Sequence, residues 1–259
     1  MTPVLSTAGA RHLQLLRIVL TDWHRLGPDD GTRFFGPEPA SLAERHALRR
    51  DGRDWPRHAE TMIGLTRLEQ FQAAIESVVA DGVPGDIVET GVWRGGACIL
   101  ARAVLAELGC VDRCVWLADS FAGLPPPSPD RYPADRGDNH FTEKFLCVDR
   151  PTVEANFARY DLLDAQVRFL PGWFEDTLAS APIARIAVLR LDGDMYGSTW
   201  EALTSLYDRV SPGGYVIVDD YGAVPGCAAA IDDFRARHAI TAPLRPIDWT
   251  GRFWRRGGA

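Results

Sequence analysis

The sequence predicts an α/β fold built on a doubly wound, mostly parallel sheet of seven strands, and three observations predict it. From Asp86 onward, short runs that are apolar on both faces alternate with helical segments. Strands of that texture are covered on both sides, as in a parallel sheet between two helix layers. The runs also end in glycine-rich or acidic residues, where open sheets of this kind bind ligands. Finally, Leu244–Trp249 and Phe253–Arg255, about a turn at Thr250-Gly251, read as an antiparallel C-terminal hairpin closing one edge.

The elements follow in order. Residues 1–60 read as an N-terminal helical extension, suited to substrate or oligomer contacts. Leu13, Leu16, Leu20 and Trp23 share one helical face. A polar turn follows at Gly27-Pro28-Asp29-Asp30-Gly31, and Ser41-Leu-Ala-Glu44 has the form of a capping box opening a second helix. Residues 61–259 form the main domain. A longer amphipathic helix carries Met62, Leu65, Leu68, Phe71, Ile75, Val78 and Val79 and stops before Gly82 and Pro84. The predicted strands are Ile87–Glu89, Cys114–Ala118, Val167–Leu170, Ile186–Leu189 and Tyr215–Val218. The predicted helices between and after them span 97–108, 151–160, 174–180, 198–210 and 226–238. Pro125–Val148 is a long Pro-, Asp- and Gly-rich loop with the composition of a lid.

Composition excludes several function classes. Apolar residues make up 46% and charged residues 24% of 259, an ordinary globular composition. The net charge of −7 argues against a nucleic-acid partner, and no apolar stretch is long enough for a membrane span. The first twenty residues carry Arg11, His12 and Arg17 and do not resemble a signal peptide, so a cytoplasmic location is expected. The five scattered cysteines fit a reducing compartment. Lys144 is the only lysine and follows Glu143, which rules out a Walker-type phosphate loop.

The chemistry sits after the strands. The first run leads into Glu89-Thr-Gly-Val-Trp-Arg-Gly-Gly96, and the second ends at Asp119-Ser120, thirty positions after Glu89. A glycine turn lets backbone approach a ligand, and an acid ending the second strand can accept from a ribose diol. Dinucleotide and S-adenosylmethionine sites share that pair. Here the turn lacks the second glycine of G-x-G-x-x-G and sets Trp93 where a pyrophosphate would need room. Glu89 would repel a pyrophosphate but suit a cationic amino acid or sulfonium. The methyl donor is therefore favoured, and an NAD(P)-dependent oxidoreductase on a related sheet is the alternative. Gly172-Trp173 after the third run offers an aromatic face for adenine. Asp192 and Asp194 leave the fourth strand, and Asp219 and Asp220 leave the fifth. Such carboxylates repel one another unless a cation neutralises them, and oxygen-only ligands favour Mg2+ or Ca2+ over zinc. Asp194 is the member most readily read as solvated.

These motifs, with Ala-Asp-Ser-Phe121, Leu-Pro-Gly-Trp-Phe174, Leu-Asp-Gly-Asp-Met-Tyr196 and Asp-Asp-Tyr221, together resemble the macrocin O-methyltransferase family. Asp81-Gly-Val-Pro-Gly-Asp86 and Gln166–Trp173 point within it to the type that methylates mycinamicin III at the 3'' position. The likeness runs from about Thr61 to the C-terminus and fades in the N-terminal sixty residues. It implies a Rossmann-like class I methyltransferase fold and an S-adenosylmethionine- and Mg2+-dependent enzyme. The acceptor implied is a sugar hydroxyl of a glycosylated, macrolide-type small molecule, and the assembly a homo-oligomer. It further implies that Asp192, Asp219 and Asp220 are the metal ligands and Asp119 the ribose partner. Glu89 and Gly91 would hold the methionine end. Trp173 and Ser120 would border the adenine, and Gly172 and Trp93 would be further cofactor contacts. Thr61 and Met62 would reach in from the preceding helix. The broader cation-dependent class, which includes catechol O-methyltransferases, places a lysine base three residues after the first metal aspartate; here that residue is Met195. The base must come from elsewhere, and Asp192 or His140 in the lid are the candidates.

Overall fold

The computed structural model describes residues 5–28 and 30–257. Asp29, within the expected polar turn, lies outside them. Helix α1 (Thr7–Leu20) is capped by Ser6, whose Oγ accepts the Gly9 N–H at 2.9 Å. It buries Leu13, Leu16 and Leu20 as expected. Trp23 does not continue that face. Asp22 turns left-handed at φ 53°, and Trp23 falls in a short 3-10 turn, stacked on His46. A two-stranded ribbon follows that the sequence did not suggest: β1 (Arg33–Phe34) and β2 (Asp54–Trp55), paired antiparallel around α2 (Leu42–Arg50). Ser41 caps α2 by accepting the Glu44 N–H, while Glu44 reaches back to the Ala40 N–H rather than to that of Ser41.

Helix α3 (Gly64–Ala80) starts later than its apolar pattern implied. Gly64 sits at φ +74°, and a Cβ there would overlap the Gly52 backbone, so the chain breaks at this point. Thr61 and Met62 therefore lie in the loop before the helix and not on it. The chain then alternates: β3 (Asp86–Thr90), α4 (Gly96–Glu107), β4 (Val115–Asp119), α5 (Arg150–Arg159), β5 (Val167–Pro171), α6 (Phe174–Thr177), β6 (Ile186–Leu191), α7 (Tyr196–Leu206), β7 (Val210–Val218) and α8 (Pro225–Arg237). It closes with β8 (Arg245–Pro246) and β9 (Arg252–Arg255). Helix α6 is one turn, shorter than the expected 174–180. Strand β7 begins five residues before the expected Tyr215, because Val210 already pairs with Ile186 and a register shift absorbs Pro212-Gly213-Gly214. Helix α7 ends at Leu206 in consequence.

The seven strands run in the order β5-β4-β3-β6-β7-β9-β8. The first five are parallel, and β9 is antiparallel to both β7 and β8. Asp248 closes that hairpin by accepting the Thr250 and Gly251 N–H groups. Because β4 and β6 flank β3 on opposite sides, the strand order reverses at β3 and leaves a crevice at the strand ends there. Leu13, Leu16 and Leu20 join α3 and α4 in one core on one side of the sheet; α7 and α8 cover the other. Among the described residues no helix is long and apolar enough to cross a membrane.

Candidate active site

The turn after β3 puts Gly91 at φ +88° and Gly95 at φ +84°. A Cβ on Gly91 would overlap the Asp192 carbonyl oxygen, so the two strand ends touch through backbone alone. Asp119, at the end of β4, accepts the Val92 N–H at 2.7 Å and the Phe121 N–H at 2.8 Å. Burial raises its pKa, and these N–H donors oppose the rise. Oδ1 also has the Ser120 hydroxyl at 3.5 Å, and Oδ2 keeps a lone pair for a ligand hydroxyl. Gly172, at φ +132°, donates its N–H to the Asp119 carbonyl and delivers Trp173 to the same crevice. One cavity of about 240 Å³ results. Met62, Gly91, Trp93, Asp119, Ser120, Gly172 and Trp173 all line it, seven of the nine expected cofactor contacts. Thr61 and Glu89 line the neighbouring cavity instead.

That second cavity, about 580 Å³, holds the acidic cluster. Asp192, Asp219 and Asp220 each offer an oxygen, all within 4.8 Å of one another. Two arginines absent from the sequence reading organise them. Arg190 pairs with Glu89, Asp192 and Asp219 together, and Arg67 pairs with Asp219 and Asp248. Burial alone would lower the Arg190 pKa, but Asp219, Asp192 and Glu89 outweigh it and raise it. Glu89 also accepts the Cys98 thiol at 2.7 Å, so its charge is already engaged.

Cationic neutralisation thus comes partly from the protein itself. The balance still leaves six carboxylates (Glu89, Asp138, Asp192, Asp194, Asp219, Asp220) against two guanidiniums. Asp220 is pushed well up by burial and by Asp194, Asp192 and Asp219. Three converging oxygens with excess negative charge fit a hard divalent cation. Asp194, the member of the acidic group most readily read as solvated, turns left-handed at φ 56°, donates its N–H to Asp220 and lines both cavities.

The 125–148 segment folds over both cavities as 3-10 turns. Asp135 caps the start of α7 through the Tyr196 and Gly197 N–H groups, and Trp93 donates its indole N–H to the Phe145 carbonyl. His140 lines the acidic cavity. Its Nδ1 lies 2.8 Å from Asp138 Oδ2, which makes Nδ1–H the donor and leaves Nε2 as acceptor. Burial would lower its pKa, but Asp194 and Asp138 outweigh it and hold it above the ordinary value. Asp138 was also missed. Arg190 had one signal, a charge inside the otherwise aliphatic strand Ile186–Leu191; Arg67 had none, since Asp219 and Asp248 are remote in sequence.

Comparison with known proteins agrees with this geometry. The family model for macrocin O-methyltransferase (TylF) matches residues 36–256, so the likeness extends upstream of Thr61 into the N-terminal region. A Streptomyces olivaceus protein, 8-demethyl-8-(2,3-dimethoxy-alpha-L-rhamnosyl)-tetracenomycin-C 4'-O-methyltransferase, is 55% identical over 96% of this chain and 93% of its own. Mycinamicin III 3''-O-methyltransferase of Micromonospora griseorubida is 51% identical over 80% of this chain and 83% of its own. The solved structure of the O-methyltransferase NovP superposes with a TM-score of 0.89 at 47% identity, over 96% of this chain and all of that one. The nicotinamide alternative is thereby set aside: the chain belongs to the macrocin O-methyltransferase family.

Proposed function

We propose that this protein is an S-adenosylmethionine- and Mg2+-dependent O-methyltransferase acting on a sugar hydroxyl of a glycosylated natural product. The observation that carries the reading is the meeting of two cavities along Met62, Trp93, Leu146, Asp192 and Asp194. One has the glycine turn, Asp119 and Trp173; the other has the acidic floor and His140. The acceptors named for the relatives, a rhamnosyl tetracenomycin and mycinamicin III, support a glycosylated acceptor, with a macrolide among the candidates.

S-adenosylmethionine supplies a methyl group on a sulfonium whose charge is relieved on transfer. Mg2+, which Asp192, Asp219 and Asp220 would hold, would supply a Lewis acid that makes a sugar hydroxyl more acidic. The protein's own residues do the rest. The Gly91 backbone and Asp119 hold the donor's amino-acid and ribose parts, and Trp173 takes the adenine. Arg190 and Arg67 hold the carboxylates at their stations. His140, oriented by Asp138, takes the hydroxyl proton on Nε2, as an aspartate-oriented imidazole does in other acyl- and group-transfer sites. Asp192, held by Arg190 and assigned to the cation, is the less available base. Covered by the 125–148 segment, the reacting groups are held in place and kept from water. The five free cysteines support a cytoplasmic location, and exposed Leu15 and Val19 on α1 support a homo-oligomer.

The test is calorimetric titration with S-adenosylhomocysteine, followed by methyl transfer from labelled donor to a panel of rhamnosides. Micromolar binding and a labelled glycoside are expected. A folded sample that binds no S-adenosylhomocysteine overturns the reading.

A further inference from the structure

The acidic cavity has two unlike ends. At its floor Glu89 is 2% exposed beside the aspartates; at its mouth Phe35 is 51% exposed. Phe35 meets Trp55 and Trp249 at ring distances of 5.9 and 6.3 Å, at steep angles. Trp55 in turn stacks on Phe145 of the covering segment, 7° from parallel. The Arg33 and Arg53 guanidiniums lie over Trp55 and Trp249, at 3.8 and 4.4 Å. The Trp249 indole N–H is already given to the Asp51 carbonyl, so that ring presents its carbon face and edge rather than a free donor. The mouth offers ring faces, ring edges and planar cations, which gain most from a flat π system.

The mouth is also built in advance. Buried Arg49 bonds Asp54 of β2, the Thr21 carbonyl and the Thr32 hydroxyl, which fixes the ribbon that carries Trp55. The Trp249 bond to Asp51 ties the C-terminal hairpin loop to the same segment. Rings held this way lose little freedom when a ligand stacks on them.

We propose that Phe35, Trp55 and Trp249 form the aglycone subsite and select a flat aromatic aglycone over an aliphatic ring system, with the sugar directed to the acidic floor. The inference rests on the sugar-methylation reading above and narrows its acceptor class.

The test compares two probes with one sugar: 2-naphthyl α-L-rhamnoside and its saturated counterpart, 2-decalyl α-L-rhamnoside. Binding to protein loaded with S-adenosylhomocysteine is read by calorimetry, and KM by methyl transfer. The naphthyl glycoside is expected to bind about tenfold more tightly, the size of one or two aromatic contacts. Phe35→Leu, at an exposed position, and Trp249→Leu are each expected to bring the ratio towards one while S-adenosylhomocysteine affinity holds. Equal binding of the two probes, or a ratio that both variants leave intact, overturns the aromatic subsite. If neither glycoside is methylated but the naphthyl preference persists and Phe35→Leu removes it, the subsite stands and the sugar-methylation reading fails. If methylation proceeds with no preference, the reverse holds.

Discussion

A guanidinium that is 1% exposed, in the middle of an aliphatic strand, is too costly to bury without partners; Arg190 has three, Glu89, Asp192 and Asp219. Removing it leaves Asp192 without a cationic partner and Glu89 with the Cys98 thiol alone, while Asp219 keeps Arg67. Arg190→Met is therefore expected to cost about 3–5 kcal/mol in urea unfolding. A wild-type midpoint would mean the carboxylates find another cation. His140 gives a second prediction at this scale. Asp138 helps raise its pKa, and the ring must be neutral to accept a proton. Asp138→Asn lowers that pKa, so the ring stays neutral to lower pH. The acidic limb of the kcat profile is expected to move down in pH, while kcat itself falls on the order of 10²-fold as the ring loses its orienting carboxylate. An unmoved limb would remove His140 from the proton path.

Two elements carry the remaining local predictions. The β3–α4 turn exists because Gly91 reaches φ +88° against the Asp192 carbonyl. Gly91→Ala strains the backbone by about 1–2 kcal/mol before any clash is counted. It also pushes apart the strand ends that both cavities share. S-adenosylhomocysteine affinity and thermal midpoint are expected to fall together; loss of stability alone would make the turn structural only. Helix α2 depends on its cap, and Ser41→Ala is expected to cost about 1 kcal/mol by denaturant unfolding. Strands β3 to β6, α4, α5 and α8 were legible because their apolar runs, caps and breakers agree with one another. The late start of α3 was not, since Gly64 fits a helix pattern and only its φ of +74°, packed against the Arg49, Arg50 and Gly52 backbone, departs from it. The β1–β2 ribbon was equally hidden: two residues per strand leave no alternation to read.

At the scale of the whole molecule, the cavity with Asp119 and Trp173 and the acidic cavity are adjacent and share Met62, Trp93, Leu146, Asp192 and Asp194. Asp219 and Asp220 belong to the second alone. Chelation of divalent metal is expected to stop methyl transfer while S-adenosylhomocysteine binding largely survives, as measured by radiolabel transfer and calorimetry on one sample. Turnover that persists in excess chelator would take the metal out of the mechanism. The N-terminal segment contributes Phe35, Trp55 and the Arg49 anchor to the acidic cavity, so its role extends beyond packing α1 on the core.

The sequence by itself determined the sheet, its parallel core and closing hairpin, the glycine turn, and the strand endings at Asp119, Trp173, Asp192, Asp194, Asp219 and Asp220. Each depends on local spacing: a period of two or 3.6, or the few residues that follow a strand end. Tertiary structure decided what those residues meet. Arg190 and Arg67 as counter-charges, Asp138 behind His140, Asp194 at the wall and the aromatic mouth all arise from contacts between distant segments. Charge compensation and ring packing act through space, so no spacing along the chain records them.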